Sequence, residues 1–130
     1  MVFSACTNDT PVNMQNQPPA QVDGNAKSAY RKISAMQAYQ MMQDSNEYVL
    51  LDVRSLEEFK EKHISGATLI PDVEIGSRAA KELPDKNALI LVYCRSGGRS
   101  AKAANELVGM GYANVYDFGG IVDWPYETVK

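Results

Sequence analysis

Residues 89–101 read LILVYCRSGGRSA, and the change of pattern inside this stretch decides the fold. An apolar run of strand length, 88–93, ends at Cys94, and a turn with two glycines follows. A helical periodicity then begins near Ser100, with its apolar positions at Ala101, Ala104, Leu107 and Val108. A buried strand that leads directly into a helix is the unit from which parallel sheets are built.

Strands and helices alternate along the rest of the chain. The predicted strands are 30–33, 49–53, 67–70, 88–93 and 114–118, and the predicted helices are 34–42, 55–62, 73–83, 100–108 and 122–129. Ser34 with Gln37, and Ser55 with Glu58, have the spacing of capping boxes, which mark helix N-termini. The pattern predicts an α/β domain over residues 30–130, with a mainly parallel five-stranded sheet and helices on both faces.

The composition restricts the class of protein. The chain has 130 residues, 45% of them hydrophobic and 22% charged, with a net charge of −3, which is typical of one globular domain. This charge gives no reason to expect nucleic acid as a partner, and no apolar run is long enough to cross a membrane. Cys6 and Cys94 lie in very different surroundings, and His63 is the single histidine, so we expect neither a disulfide nor a metal site. We expect a monomer.

Residues 1–29 form a polar tail before the domain. Residues 7–28 are rich in Asn, Gln, Pro, Thr and Ser, a composition that predicts a flexible linker. Before the linker, the segment 3–6 reads FSAC and resembles a bacterial lipoprotein processing site. That resemblance implies a lipid anchor at Cys6, which would be the chain's contact with a membrane, and a location in the bacterial cell envelope outside the cytoplasm. The alternative is an ordinary tail that happens to contain a cysteine, on a cytoplasmic protein.

The turn after Cys94 has the features of a site for a nucleophile. Its glycines allow the backbone to curl, so that N–H groups of residues 95–100 point inward as an anion-binding concavity. The N-terminus of the next helix, together with Arg95 and Arg99, adds positive charge that favours a thiolate. These residues predict a cysteine nucleophile acting on a small anionic substrate. The competing interpretation is a cysteine that merely fills the core.

Four segments in order resemble the rhodanese family of sulfurtransferases. They are LLDVRSLEEF at 50–59, HISGA at 63–67, LVYCRSGGRS at 91–100 and GYANVYDFGGIVDW at 111–124. The resemblance covers residues 30–130 and implies a rhodanese-like fold that needs no cofactor. Cys94 matches the residue that carries a persulfide, and Asp52 and Arg54 match a supporting DVR motif. The residues implied to bind substrate are Arg95, Ser96, Gly97, Gly98, Arg99 and Ser100.

The resemblance also implies a reaction and its partners. The Cys94 thiolate would take a sulfur atom from a small anionic donor such as thiosulfate, and would pass it to cyanide, a thiol or a protein acceptor. Two alternatives remain. A phosphatase or arsenate reductase would use the same thiolate, but its loop is one residue longer than Cys-x4-Arg. A non-enzymatic module that binds sulfide or docks a protein would not need Cys94 and both arginines.

Other residues are given structural roles. We expect His63 to have a structural role, Trp124 to lie in the core, and the charged face of the second helix to be solvated; that face consists of Glu57, Glu58, Glu61 and Lys62. A buried Asp52 needs a hydrogen-bonding or positive partner. We predict that Asp52 holds the active loop, through Arg99 or through N–H groups of the loop.

Overall fold

The computed structural model describes residues 29–130. The predicted polar linker and the proposed processing site at Cys6 lie outside these residues. Within residues 29–130, none of the helices is long and apolar enough to span a membrane.

A five-stranded parallel sheet forms the centre of the domain. Its strands are β1 (Arg31–Lys32), β2 (Val49–Asp52), β3 (Thr68–Leu69), β4 (Leu89–Cys94) and β5 (Asn114–Gly120). They lie in the order β1-β5-β4-β2-β3, and every pairing is parallel. The longest strands, β4 and β5, are neighbours, and β4 is the central strand of the sheet. The prediction of a parallel five-stranded sheet is confirmed.

The helices connect the strands. They are α1 (Ala35–Asp44), α2 (Leu56–Glu61), α3 (Ile75–Glu82) and α4 (Gly98–Gly109), with 3-10 turns at Asp72–Glu74 and Ile121–Asp123. Both predicted capping boxes are present, at Ser34 with Gln37 and at Ser55 with Glu58. They define the N-termini of α1 and α2, because each satisfies two backbone N–H groups that the helix leaves unpaired.

Both faces of the sheet are covered, as predicted. Alternate residues of the central strands point to opposite sides, so that Leu51 and Val92 face α3 and α4, whereas Leu50 and Leu91 face α1. Every residue of β4 from 90 to 94 is buried, which explains why this strand gives the clearest sequence signal. Trp124 packs in the core on the α1 side of the sheet, with Ala38 and Phe118, as expected.

The predicted C-terminal helix over 122–129 is wrong. The structure has only the 3-10 turn at Ile121–Asp123, followed by irregular chain. Val129 forms an isolated antiparallel bridge with His63, and the two backbone hydrogen bonds measure 2.8 and 2.7 Å. Pro125 accounts for the difference, since a proline disfavours helical conformation in the residue before it and lacks an N–H group.

Candidate active site

Cys94 is the last residue of β4, at the carboxyl edge of the sheet. Its side chain is only 1% exposed. The chain then turns through Gly97, whose φ of 115° lies in the left-handed region that glycine adopts without strain. This turn brings the Gly97 N–H to 2.9 Å from the Cys94 sulfur, and α4 begins at the next residue. A buried thiol therefore accepts a backbone hydrogen bond at the N-terminus of a helix.

Ser100 and Asp117 lie beneath the loop. The Ser100 hydroxyl is 3.5 Å from the Cys94 sulfur and 2.7 Å from Oδ1 of Asp117. Asp117 belongs to β5 and is fully buried, and its Oδ1 also accepts a hydrogen bond from the Gly119 N–H at 2.9 Å. Asp117 was not among the site residues predicted from the sequence. The available signal was a carboxylate inside a predicted strand of a central sheet.

Gly120 supports the loop from the side of β5. A Cβ atom at this position would lie 2.0 Å from the carbonyl oxygen of Arg95, so only glycine fits there without moving the loop. The same Arg95 carbonyl accepts a hydrogen bond from the Val122 N–H at 3.2 Å. Gly120 was not predicted as a site residue either, because its importance depends on a contact between segments that are distant along the chain.

Arg99 is held by Glu58 of α2. Two parallel hydrogen bonds join the guanidinium to the carboxylate, at 2.8 and 2.9 Å. These bonds, together with those from Ser55, lower the pKa of Glu58 to about 2. The prediction that Glu58 lies on a solvated helix face is wrong. Its carboxylate closes the capping box of α2 and fixes the active loop at the same time, whereas Glu57, Glu61 and Lys62 are exposed.

The other loop positions differ in exposure. Arg95, Ser96 and Gly98 are exposed, whereas Ser100 is buried against Asp117. The structure thus brings all the residues that the resemblance implied for substrate binding into one turn around Cys94. Their contacts with a substrate stay a prediction.

The expected contact between Asp52 and Arg99 or the loop N–H groups is wrong. Asp52 is buried and binds Arg54, with a shortest distance of 2.7 Å between Oδ2 and Nη2. Its Oδ2 also accepts a hydrogen bond from the Tyr93 hydroxyl at 2.7 Å, and Arg54 donates to the carbonyl of Lys62. Asp52 and Arg54 therefore support the site indirectly, by fastening the residue before Cys94 and the chain that follows α2.

His63 takes part in local packing. Its ring stacks on Phe59, with 3.8 Å between centroids, and its Nδ1 lies 2.9 Å from the Phe59 carbonyl oxygen. With the backbone bridge to Val129, these contacts describe a structural role, as expected. Among residues 29–130, no group of three or more His, Cys, Asp or Glu side chains is arranged to hold a metal ion.

Comparisons with known proteins agree with this geometry. A family model described as Rhodanese-like domain matches residues 34–126. Thiosulfate sulfurtransferase PspE of Escherichia coli is 40% identical over 80 residues, which cover 62% of this chain and 77% of PspE. Thiosulfate sulfurtransferase GlpE of Coxiella burnetii is 31% identical over 96 residues, which cover 73% of this chain and 87% of GlpE.

Solved structures give the same result. A structure described as rhodanese with anions from E. coli has a TM-score of 0.61 and 38% identity, and the match covers 64% of this chain and 98% of the other. A rhodanese-related protein from Thermoplasma volcanium has a TM-score of 0.66 and 30% identity, with coverage of 77% and 98%. The fold, the loop around Cys94 and these relatives together lead to one conclusion: the chain belongs to the rhodanese family and is a rhodanese-type enzyme.

Proposed function

We propose that this protein moves a sulfane sulfur atom from thiosulfate, or a similar small anionic donor, to a thiol, a protein acceptor or cyanide, through a persulfide on Cys94. The observation that carries the proposal is the position of the Cys94 thiol, at the N-terminus of α4 and 2.9 Å from the Gly97 N–H. Two relatives are themselves named thiosulfate sulfurtransferases, which supports the choice of donor.

The first half of the reaction loads the cysteine. The Cys94 thiolate attacks the outer sulfur of thiosulfate, a new S–S bond forms, and the original S–S bond breaks so that sulfite leaves with its electron pair. Arg95 is exposed in the loop and supplies positive charge for the anionic donor. The loop amides and the N-terminus of α4 favour negative charge on the persulfide.

The second half of the reaction removes the outer sulfur from the Cys94 persulfide. An acceptor thiolate or cyanide attacks the outer sulfur of the persulfide, and Cys94 leaves as a thiolate. Cys94 is only 1% exposed, so the acceptor must reach its sulfur past the loop, in which Arg95, Ser96 and Gly98 are exposed. No metal or organic cofactor takes part in either half.

Intact mass spectrometry after incubation with thiosulfate tests the proposal. We expect the protein to gain the mass of one sulfur atom, and to lose it when cyanide is added. Cys94→Ser should gain nothing, whereas Cys6→Ser should behave as the wild type. A wild-type protein that gains no sulfur, or a Cys94→Ser protein that still turns over thiosulfate, would contradict the mechanism.

The alternative of phosphate chemistry is tested with the same variants. Arg99 comes five positions after Cys94 and is held by Glu58, so the loop is short and braced. We expect no hydrolysis of an aryl phosphate that depends on Cys94. Efficient hydrolysis by the wild type, lost in Cys94→Ser, would favour a phosphatase.

The location of the protein is a separate proposal. The segment FSAC at 3–6, followed by a polar linker, supports a lipid anchor at Cys6 that holds the domain on the outer side of a bacterial membrane. Two or three acyl chains would make such an anchor stable, whereas one chain would not. Fractionation of cells that express the native precursor tests it. Recovery of the protein in the soluble cytoplasmic fraction, with unmodified Cys6, would exclude the anchor.

A further inference from the structure

Asp117 is a buried charge that the two steps of sulfur transfer leave without a role. It is fully buried in β5, next to the strand that ends in Cys94. Within the part of the chain that the structure describes, its Oδ2 has no hydrogen-bond partner. The ammonium group of Lys32 in β1 lies 3.5 Å from Oδ2, but that side chain is 63% exposed. A carboxylate is costly to bury in this way, so its presence beside the site calls for a reason.

A continuous chain of polar atoms connects Asp117 to the nucleophile. Oγ of Ser100 lies 2.7 Å from Oδ1 of Asp117 and 3.5 Å from the Cys94 sulfur. The carbonyl oxygens of Gly97 and Gly119 lie farther from this hydroxyl, at 3.1 and 3.3 Å. A serine hydroxyl has one proton to donate, and the charged and nearest acceptor is the carboxylate. Ser100 therefore donates to Asp117 and presents a lone pair to the Cys94 S–H group.

The charges in this cluster restrict how the thiolate forms. With Asp117 ionised, a thiolate at Cys94 would be a second negative charge within the same buried cluster, and like charges oppose each other's ionisation. The cost falls if the proton that leaves the sulfur ends on Asp117, because the cluster then keeps a single negative charge. Lys32 favours the ionised carboxylate and so works against complete transfer of the proton.

We propose that Asp117 and Cys94 share one proton through the Ser100 hydroxyl, so that the buried carboxylate accepts the proton that Cys94 loses when it becomes a nucleophile. The thiol proton passes to Oγ of Ser100 while the hydroxyl proton of Ser100 passes to Oδ1 of Asp117. One S–H and one O–H bond break, two O–H bonds form, and the charge of the three groups does not change. Ser100 then donates to the thiolate.

This inference rests on the proposed function and deepens it, because it names the destination of the proton of the same cysteine. Asp117 acts through Ser100 and does not touch the sulfur, so it is a positioning residue. When an acceptor removes the outer sulfur and Cys94 leaves as a thiolate, the proton returns from Asp117 to Cys94 through the Ser100 hydroxyl. The cycle then needs no exchange of that proton with solvent.

The test is the pH dependence of Cys94 alkylation in the full chain. Iodoacetamide reacts with the thiolate, and peptide mass spectrometry separates modification of Cys94 from that of Cys6. Two groups that share a proton titrate in two steps that belong to the pair. We therefore expect two rises in the wild-type rate, with a plateau between them, and a single rise in Asp117→Asn.

Two further variants complete the experiment. Ser100→Ala keeps the carboxylate but removes its connection to the sulfur. It should slow alkylation near neutral pH on the order of tenfold, which corresponds to moving the pH profile of the alkylation rate by about one pH unit. Glu61→Gln removes one negative charge from the exposed face of α2 and should keep both steps of the wild type. If Asp117→Asn keeps the wild-type profile, the proposal is overturned.

The result does not depend on whether the substitution of Asp117 disturbs the fold. Circular dichroism identifies a misfolded Asp117→Asn protein, and Ser100→Ala then decides: an unchanged rate near neutral pH overturns the proposal. Alkylation needs neither donor nor acceptor. A wild-type protein with two steps that gains no sulfur from thiosulfate would contradict the proposed function alone, and a protein that gains sulfur but titrates in one step would contradict proton sharing alone.

Discussion

Arg95 and Arg99 lie four positions apart in one loop, yet their surroundings differ. Arg99 gives both of its terminal nitrogens to Glu58, and this ion pair is only about one-third exposed. Its charge is therefore largely compensated before any donor arrives. Arg95 is exposed, and its backbone rather than its side chain is held, through Val122. We infer that Arg95 contributes more to donor binding and Arg99 more to the shape of the loop.

Substitution of the two arginines should separate these roles. We expect Arg95→Ala to raise the KM for thiosulfate about tenfold or more while the unfolding midpoint stays unchanged, because a charge-assisted contact contributes roughly 1.5–3 kcal/mol. Arg99→Ala should lower the unfolding midpoint as well, because Glu58 loses its partner. Steady-state kinetics and denaturant unfolding measure both effects. Lys81→Ala, an exposed charge at the end of α3, is the control for net charge. Equal KM values for Arg95→Ala and the control would contradict this assignment.

Contacts between residues that are distant in the sequence were the ones that could not be predicted at the residue level. The location of Cys94 and its loop followed from local pattern, since a buried strand, two glycines and a helix are contiguous. Glu58 and Arg99 are 41 residues apart, and only the packing of α2 against the loop brings them together. The assumed partner of Asp52 was wrong for a different reason, because its partner Arg54 lies only two residues away in the sequence.

The helix α2 is short, and its first turn links secondary structure to the site. Glu58 accepts hydrogen bonds from the backbone and hydroxyl of Ser55, and binds Arg99 with the same carboxylate. A six-residue helix is marginal by itself, so this cap and ion pair matter to whether it forms. Formation of the helix α2 and positioning of the active loop therefore depend on the same carboxylate.

The depressed pKa of Glu58 gives this coupling a pH dependence. Its pKa is about 2 in the folded protein and 4.5 without the shift, so the stabilisation is complete above about pH 4.5 and is lost as the pH falls towards 2. Glu58→Gln keeps the capping box but removes the charge. We expect its Tm to lie below that of the wild type at neutral pH, by an amount that corresponds to about 1 kcal/mol or less for such a partly exposed pair.

The difference in Tm should shrink steadily below pH 4.5 and vanish near pH 2. Glu57→Gln changes the same charge at an exposed position of the same helix, and should show no such trend. Ser55→Ala removes the cap and should cost roughly 1 kcal/mol with little change between neutral pH and pH 4.5. A constant difference between Glu58→Gln and wild type across the whole range would disprove the assignment.

The contact between the loop and β5 predicts a strong effect of a small substitution. Gly120→Ala places a methyl group where the Arg95 carbonyl lies, so the loop must move by an ångström or more. Misplacement on this scale costs about 100-fold in rate, and we expect such a loss in persulfide formation measured by stopped flow. Gly109→Ala, where a Cβ atom meets open space, should leave the rate unchanged. A fast Gly120→Ala enzyme would show that the loop does not depend on this contact.

At the level of elements, a periodic apolar pattern predicted strands and helices well, whereas the conformation of the C-terminal segment was not predicted. The strands and helices in the middle of the chain were predicted because each has an apolar face that repeats over several residues. The segment after Trp124 has no such face, and its conformation depends on the pairing of Val129 with His63, a contact with a distant part of the chain. The edge strands β1 and β3 were predicted at 30–33 and 67–70, but each has only two residues, too few for a periodic signal to fix its ends.

The order of the strands connects the two ends of the described domain. β1 pairs with β5, and α1 packs beside Phe118 and Trp124. The predicted domain of residues 30–130 should therefore fold without the polar tail. We expect a chain that begins at Ala29 to match the full chain in unfolding midpoint and in kcat/KM. A lower midpoint would mean that the tail contributes contacts to the folded domain, and a lower kcat/KM alone would mean that it acts on the site.

Because Gly120 supports the loop from β5, the order in which the two segments are synthesised also matters. A ribosome makes the chain from its N-terminus, so Cys94 and its loop are synthesised before the strand on which they rest. The 26 residues from Cys94 to Gly120 take roughly 1–5 seconds at ordinary rates of synthesis. During that interval the nascent chain lacks β5, so Gly120 does not yet fix the position of the loop around the thiol. The chain therefore contains its nucleophile before it contains the strand that positions the active loop.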